Sequence, residues 1–289
     1  MFRSILSAVL VLVSGTASAI GAEKPPETLA RATKWVVDYD RDACHLAAQF
    51  GEGKKSVIAK FTRYQPGDQF DLALIGDRFV SADAEVAGKI DFGLSNKPVD
   101  LNGLNGTMGK TKAIFLRSLR FDGWESSEKM EVAPTLTPEQ EARITGVTVD
   151  LRGRPPFRIE FGSLAKPLAQ MRLCMDNLVK SWGYDPVEQA GALRPASPIT
   201  SPGTWLSSSD YPMNAVMNGH NGLVQFRLDI DSEGKVLGCF ILSRTSPDDF
   251  ADTTCRAMTR RARLQPALDA QGRPMRSYFV SKVVWLTGR

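Results

Sequence analysis

The chain has 289 residues, of which 43% are hydrophobic and 24% charged, and it carries a formal net charge of +4. That composition excludes wholesale disorder and leaves room for two domains. Basic and acidic residues are interleaved, and no aromatic-plus-basic motif of the single-strand-binding kind occurs, so no nucleic-acid partner is expected.

Residues 1–22, MFRSILSAVLVLVSGTASAIGA, combine Arg3, an apolar run over 5–13 and the small triplet Ala17, Ser18, Ala19. This is the pattern of a cleavable secretory signal. An uncleaved anchor is the alternative, because 4–22 is uncharged and close to the minimum spanning length of about 17 residues. Export favours disulfides over free thiols. Cys44, Cys174, Cys239 and Cys255 allow three pairings, and locality favours Cys44–Cys174 with Cys239–Cys255. None lies in a CxxC, so neither a thioredoxin-type redox site nor a zinc ribbon is expected, and no cofactor is implied.

Residues 23–183 read as an α+β domain rich in strands. An entry tail with Pro25 and Pro26 leads to a strand beginning at 35–37, with a turn at 38–40. Short β-rich runs follow at 57–64, 70–75, 86–92, 113–116, 147–151 and 157–161. Thr137 with Pro138 and Gln140 predicts a capped short helix reaching 144. Leu164, Leu168, Met171, Met175, Leu178 and Trp182 make one stripe of a helix over 164–182, stopped by Gly183. Such a stripe is core rather than a cofactor pocket, and Cys174 beside it can reach Cys44. Residues 184–204 contain Pro186, Pro195, Pro198 and Pro202, which argues against helix and predicts a semi-extended linker.

The C-terminal domain, 205–289, reads as helix, strand, strand, helix, strand: a three-stranded antiparallel sheet with both helices on one face. Residues 212–218 form the first helix, with Asp210 near its cap. Val224, Phe226, Leu228 and Ile230 alternate with Gln225, Arg227 and Asp229, as in a strand half-buried in a core and half in water. Asp231 to Gly234 supplies the hairpin turn. Its acids imitate a calcium loop, but Phe240 stands where a bidentate Glu is needed, so no metal site is expected. Ser246, Pro247, Asp248 and Asp249 start the second helix, and Cys255 on its inner face meets Cys239. Arg256, Arg260, Arg261 and Arg263 read as a solvated helix end rather than an anion site. A sheet this small exposes edges that accept an extended peptide.

Tyr211 and Pro212, Gly219 to Gly222 with Val224, the turn DIDSEGKV, Cys239, FADTTC, Arg261 and Arg263, Pro266 and Ala267, and GRPM before the closing strand together resemble the C-terminal domain of TonB energy transducers. The resemblance implies a periplasmic location and capture of a short segment of an outer-membrane transporter by strand addition. The strand concerned is Tyr278, Phe279, Val280, Ser281, Lys282, Val283, Val284, Trp285 and Leu286. Transducers of this family use a membrane helix bearing a His to couple to inner-membrane motor proteins. The apolar stretch here has none, so an adaptor that binds a peptide or protein in the envelope is expected rather than a transducer.

Two other functions compete. One is a structural envelope protein that homodimerises through the same edge. The other is a carboxylate-dependent envelope hydrolase, which needs two acids converging in a cleft. No GxSxG, HExxH or glycine-rich phosphate loop occurs. His45 reads as structural and His220 as a solvated turn residue. The protein is therefore expected not to be an enzyme.

Overall fold

The computed structural model describes residues 25–80, 83, 85–124, 133–245 and 249–287. The signal-like segment 1–22 and the helix start at Ser246, Pro247 and Asp248 lie outside the described residues. The fold is mixed α+β, with a large β-rich N-terminal part and a small C-terminal sheet accompanied by few helices.

The N-terminal sheet has ten strands: β1 (Glu27–Leu29), β2 (Val36–Tyr39), β3 (Cys44–Phe50), β4 (Val57–Arg63), β5 (Phe70–Ile75), β6 (Glu85–Asp91), β7 (Val99–Met108), β8 (Thr111–Leu119), β9 (Gly146–Leu151) and β10 (Phe157–Glu160). Their order is β1-β10-β9-β6-β7-β8-β5-β4-β3-β2, antiparallel except for β1 on β10. The chain between β1 and β2 brings the two ends of this sheet together. Arg31 bridges to Phe50, and the N–H groups of Ala32 and Gly51 donate to Gln49 and Ala30, each at 2.8 Å.

One face of the sheet is apolar. On β3 it is Cys44, Leu46, Ala48 and Phe50, on β4 Val57, Ala59 and Phe61, on β9 Val147, Val149 and Leu151. The helix α1 (Pro138–Arg143) opens with a capping box in which Thr137 and Gln140 satisfy each other's backbone N–H. The long helix α2 (Ala165–Ser181) buries Leu168, Met171, Met175 and Leu178 in the same core, and Cys174 is bonded to Cys44.

Three local expectations change. The turn expected at 38–40 falls later, because Asp38 and Tyr39 pair with His45 and Cys44 and complete β2. The entry tail contributes β1. The stretch 184–204 contains a helix, α3 (Pro186–Ala190): Pro186 sits in its first turn, where no N–H is required, and Asp185 caps it through Val187 and Glu188. The same stretch also pairs Ser197 and Pro198 with Gln265 and Leu264, and its Thr200 hydroxyl accepts from the indole N–H of Trp205 at 3.1 Å. It touches the rest of the protein at several points, with Tyr184 and Ala196 buried, although Val187, Leu193 and Ile199 remain exposed.

The C-terminal module contains α4 (Met213–Met217), β11 (Gly222–Ile230), β12 (Val236–Arg244), α5 (Asp249–Arg261) and β13 (Ser277–Trp285). The antiparallel sheet runs β12-β11-β13, so the most regular strand is central. Val224, Phe226, Leu228 and Ile230 pack with Phe250 and Met258 of α5 and with Ala262 just after it, and Ala215 of α4 joins Val224 and Trp285. Cys239 is bonded to Cys255 across this face. Asp210 does not cap α4, whose N-cap is Pro212. It accepts from the backbone N–H of Ser207 at 2.8 Å and holds Arg261 at 2.6 and 2.9 Å, which ties the entry loop to α5.

The largest departure concerns the polar side of β11. Alternation assigns Arg227 and Asp229 to solvent, yet they are 5% and 6% exposed. That face lies on the N-terminal part, and Leu242 and Val280 enter its core. Arg227 Nε donates to Asp229 at 2.9 Å, and its guanidinium lies between Trp182 at 4.6 Å and Phe240 at 4.3 Å. Paired charges flanked by aromatic faces tolerate this burial, whereas lone ones would not.

Candidate functional site

Strand β13 lies at one margin of the three-stranded sheet, and no strand flanks its outer side among the described residues. The direction of its backbone groups follows from β11. Leu223 accepts from the N–H of Thr245 at 3.0 Å and donates to the Thr245 hydroxyl at 2.9 Å, and the N–H of Asp231 donates to Lys235 at 3.0 Å. Odd-numbered positions from Leu223 of β11 to Asp231 just after it therefore turn their polar groups toward the β12 side. The register of β11 with β13 is unbroken, pairing Leu223 with Val284 and Asp229 with Tyr278. By antiparallel alternation, Phe279, Ser281 and Val283 bond to β11, while Tyr278, Val280, Lys282 and Val284 present N–H and C=O outward.

The side chains of this strand are mostly committed. Phe279 packs on Trp205 with ring centroids 6.1 Å apart. Trp285 stacks on Phe250 at 5.5 Å and donates its indole N–H to Thr254 at 3.2 Å. Val283 also faces α5. On the other face, Tyr278 meets Trp182 and Tyr184 edge-on at 5.0 and 5.4 Å, and Val280 is buried. Burial pushes the Tyr278 phenol up to about 12. Only Val284 and Leu286 are well exposed large apolar groups of the nine, and Leu286 lies just beyond the strand. What the strand offers to a partner is thus its main chain.

The N-terminal part holds β13 through residues that the sequence did not mark. Lys282 donates to the Ser118 hydroxyl. Ser118 sits at a bulge of β8 with φ +57°, and its N–H donates to Asp71 at 2.8 Å. Such a bulge re-aims a side chain, here toward β13. Burial lowers the Lys282 ammonium and raises the Asp71 carboxyl. At the start of the strand, Tyr184 donates to the carbonyl of Ser277 at 2.8 Å, and Gln189 donates to that of Arg276 at 3.1 Å. The one sequence signal for this anchoring was an acid, Asp71, inside an otherwise apolar run.

Other candidates are placed apart. His45 on β3 lies 2.9 Å from the Thr62 hydroxyl, and burial lowers its pKa. His220 is exposed in the turn before β11, and its carbonyl accepts from Tyr211 at 2.6 Å. Arg261 is held by Asp210, which the guanidinium drives well below the usual carboxylate range. Arg263 donates to the carbonyls of Arg260 and Ala262. In the hairpin turn, Asp231 accepts from the N–H groups of Glu233 and Lys235, so its carboxylate shapes the turn.

No curated protein and no solved structure matches the chain. A family model does: residues 207–285 match the Gram-negative bacterial TonB protein C-terminal, and the rest of the chain is unrecognised.

Proposed function

We propose that this is a TonB-like envelope protein, periplasmic after export, that binds a partner rather than catalysing a reaction. Its C-terminal module docks an extended segment on the outer side of β13, and the segment of a TonB-dependent outer-membrane transporter is the partner that the family match suggests. The observation that carries this reading is the unflanked strand whose outward N–H and C=O groups come from Tyr278, Val280, Lys282 and Val284. An extended chain meets such an edge with main-chain bonds, so affinity depends little on side chains already spent on the core.

A proline on this edge tests the idea by removing one outward donor. Val280 is buried, so substitution there disturbs packing as well. Val284 is 45% exposed and is the cleaner position. The whole protein should bind TonB-box-like peptides in a calorimetric titration, and Val284→Pro should abolish binding while keeping the melting transition. Failure of the wild type to bind, or full binding by a folded Val284→Pro, counts against the proposal. If the edge instead serves a second copy of the chain, sedimentation will show a concentration-dependent dimer that the same proline removes.

A further inference from the structure

The outer side of α5 carries charges that the fold leaves unspent. The helix turns Phe250, Ala251, Thr254, Ala257 and Met258 inward, and the bond from Cys255 to Cys239 fixes it on the sheet. Asp249, Asp252, Arg256 and Arg260 are exposed. Their spacings of three and four residues put them on one stripe of the helix. The stripe borders a groove of about 440 Å³ whose other wall is Ser209, Asp210 and Pro212. Asp210 and Arg261 also line the groove, and they are spent on each other at 2.6 Å. Among the described residues the other four charges form no ion pair, and Arg256 donates only to Thr253 of its own helix, at 2.9 Å.

The order of these charges selects the partner. Acids occupy the first half of the stripe and guanidinium groups the second. The helix dipole accounts for Asp249 and Asp252 in the first turn and for Arg260 in the last. It does not account for Arg256 in mid-helix, nor for a balanced stripe so sharply divided. Such a stripe is its own complement. A second α5 laid antiparallel, about a two-fold axis over the middle of the helix, sets Asp249 against Arg260 of the second copy and Asp252 against Arg256 of the second copy. The symmetry makes each contact twice. A uniformly acidic or basic partner meets repulsion from one half of the stripe, and a parallel copy sets like charges together. Apolar contact is available beside the charges. Pro212 is the N-cap of α4, and the next residue, Met213, is 72% exposed.

We propose that the chain self-associates through α5, as an antiparallel pair of these outer faces, leaving the edge of β13 free for a peptide. An interface of one helix face falls below about 1,200 Å², so its dissociation constant should be on the order of 100 μM. Sedimentation equilibrium of the whole protein, at concentrations bracketing that value, should show a dimer that added salt weakens. Asp249→Lys with Asp252→Lys makes an all-basic stripe, and Arg256→Glu with Arg260→Glu an all-acidic one. Each variant alone should be monomeric, and an equimolar mixture of the two should dimerise. Thermal melts check that both fold. Asp252→Asn with Arg256→Gln is the milder change and should weaken the dimer about fivefold, the loss of two surface pairs. A monomeric wild type, a dimer that survives undiminished in any of these variants when folded, or folded variants of opposite charge that fail to pair when mixed overturns the assignment. Val284→Pro should leave this dimer intact, and its loss there would assign the association to the β13 edge instead. Peptide binding at β13 is measured separately, so either result stands without the other.

Discussion

The two faces of the C-terminal sheet look opposite in sequence and alike in burial. One carries Val224, Phe226, Leu228 and Ile230 and closes on α5. The other carries Gln225, Arg227 and Asp229 and closes on the N-terminal part, with Arg227 and Asp229 almost wholly removed from water. The first face is held by area and fit, through non-directional contacts. The second is held by a paired charge, aromatic faces and a few hydrogen bonds, all of which demand specific partners. Alternation therefore reports which face is polar and leaves open whether that face is wet.

Substitutions can break this comparison in order of expected effect. Removing Cys44–Cys174 as a double alanine variant should cost about 4–5 kcal/mol on the chain-entropy model, since the bond closes a loop of more than a hundred residues. It also frees α2, whose last turn leads into Trp182, so both the N-terminal part and the polar face should loosen together. Chemical denaturation of oxidised wild type and variant measures it, and a loss below about 1 kcal/mol would contradict the tether.

Phe226→Ala on the apolar face should cost about 4 kcal/mol, as expected for deleting a fully buried aromatic side chain. Arg227→Ala on the polar face should cost nearly as much, about 3 kcal/mol, because Asp229 stays buried after losing its closest cation, with Arg276 at 3.8 Å and the Tyr184 phenol as its remaining partners. Replacing Arg227 and Asp229 together with apolar residues of similar volume should recover most of that loss. Were the polar face solvated, Arg227→Ala would fall within about 0.5 kcal/mol of wild type.

The smallest effect is expected at Asp210, whose pair with Arg261 lies away from both faces. Its carboxyl is depressed in the folded chain, chiefly by the Arg261 side chain. A depressed folded pKa means that the contribution is complete above the unfolded value of about 3.9 and is lost as pH falls below it. Asp210→Asn should thus destabilise by at most about 1 kcal/mol at neutral pH. The difference from wild type should shrink steadily in melts taken below pH 4. A gap that persists undiminished at the lowest pH would rule out this pair as its source.

Much of the module was legible because its signals are local. The β11 alternation, the turn at 231–234 and the spacing of Cys239 and Cys255 each act within a few residues, and the TonB-like motifs fall on them in order. In the N-terminal part, Thr137 with Gln140 marked α1 and the Leu and Met stripe marked α2. Strand β7 was missed because Gly103 and Gly106 interrupt its pattern. Gly103 is required, because a Cβ there would stand 2.9 Å from the Phe115 carbonyl oxygen of β8. Asp210 was misplaced for a related reason. An acid before a helix looks like a cap, and the competing guanidinium of Arg261 is 51 residues away.

By itself the sequence determined the mixed α+β character of the C-terminal module, the apolar face on which α5 closes and the preferred cysteine pairing. These depend on periodicity, propensity and short separations, which are properties of neighbouring residues. Tertiary structure alone decided that the ten-stranded sheet curls until its ends meet, that Arg227 and Asp229 leave water, and that Ser118 and Asp71 hold Lys282 beside a strand whose outer side is unflanked among the described residues. Each of those depends on groups far apart in the chain, brought together only when two separately legible parts bury a shared surface.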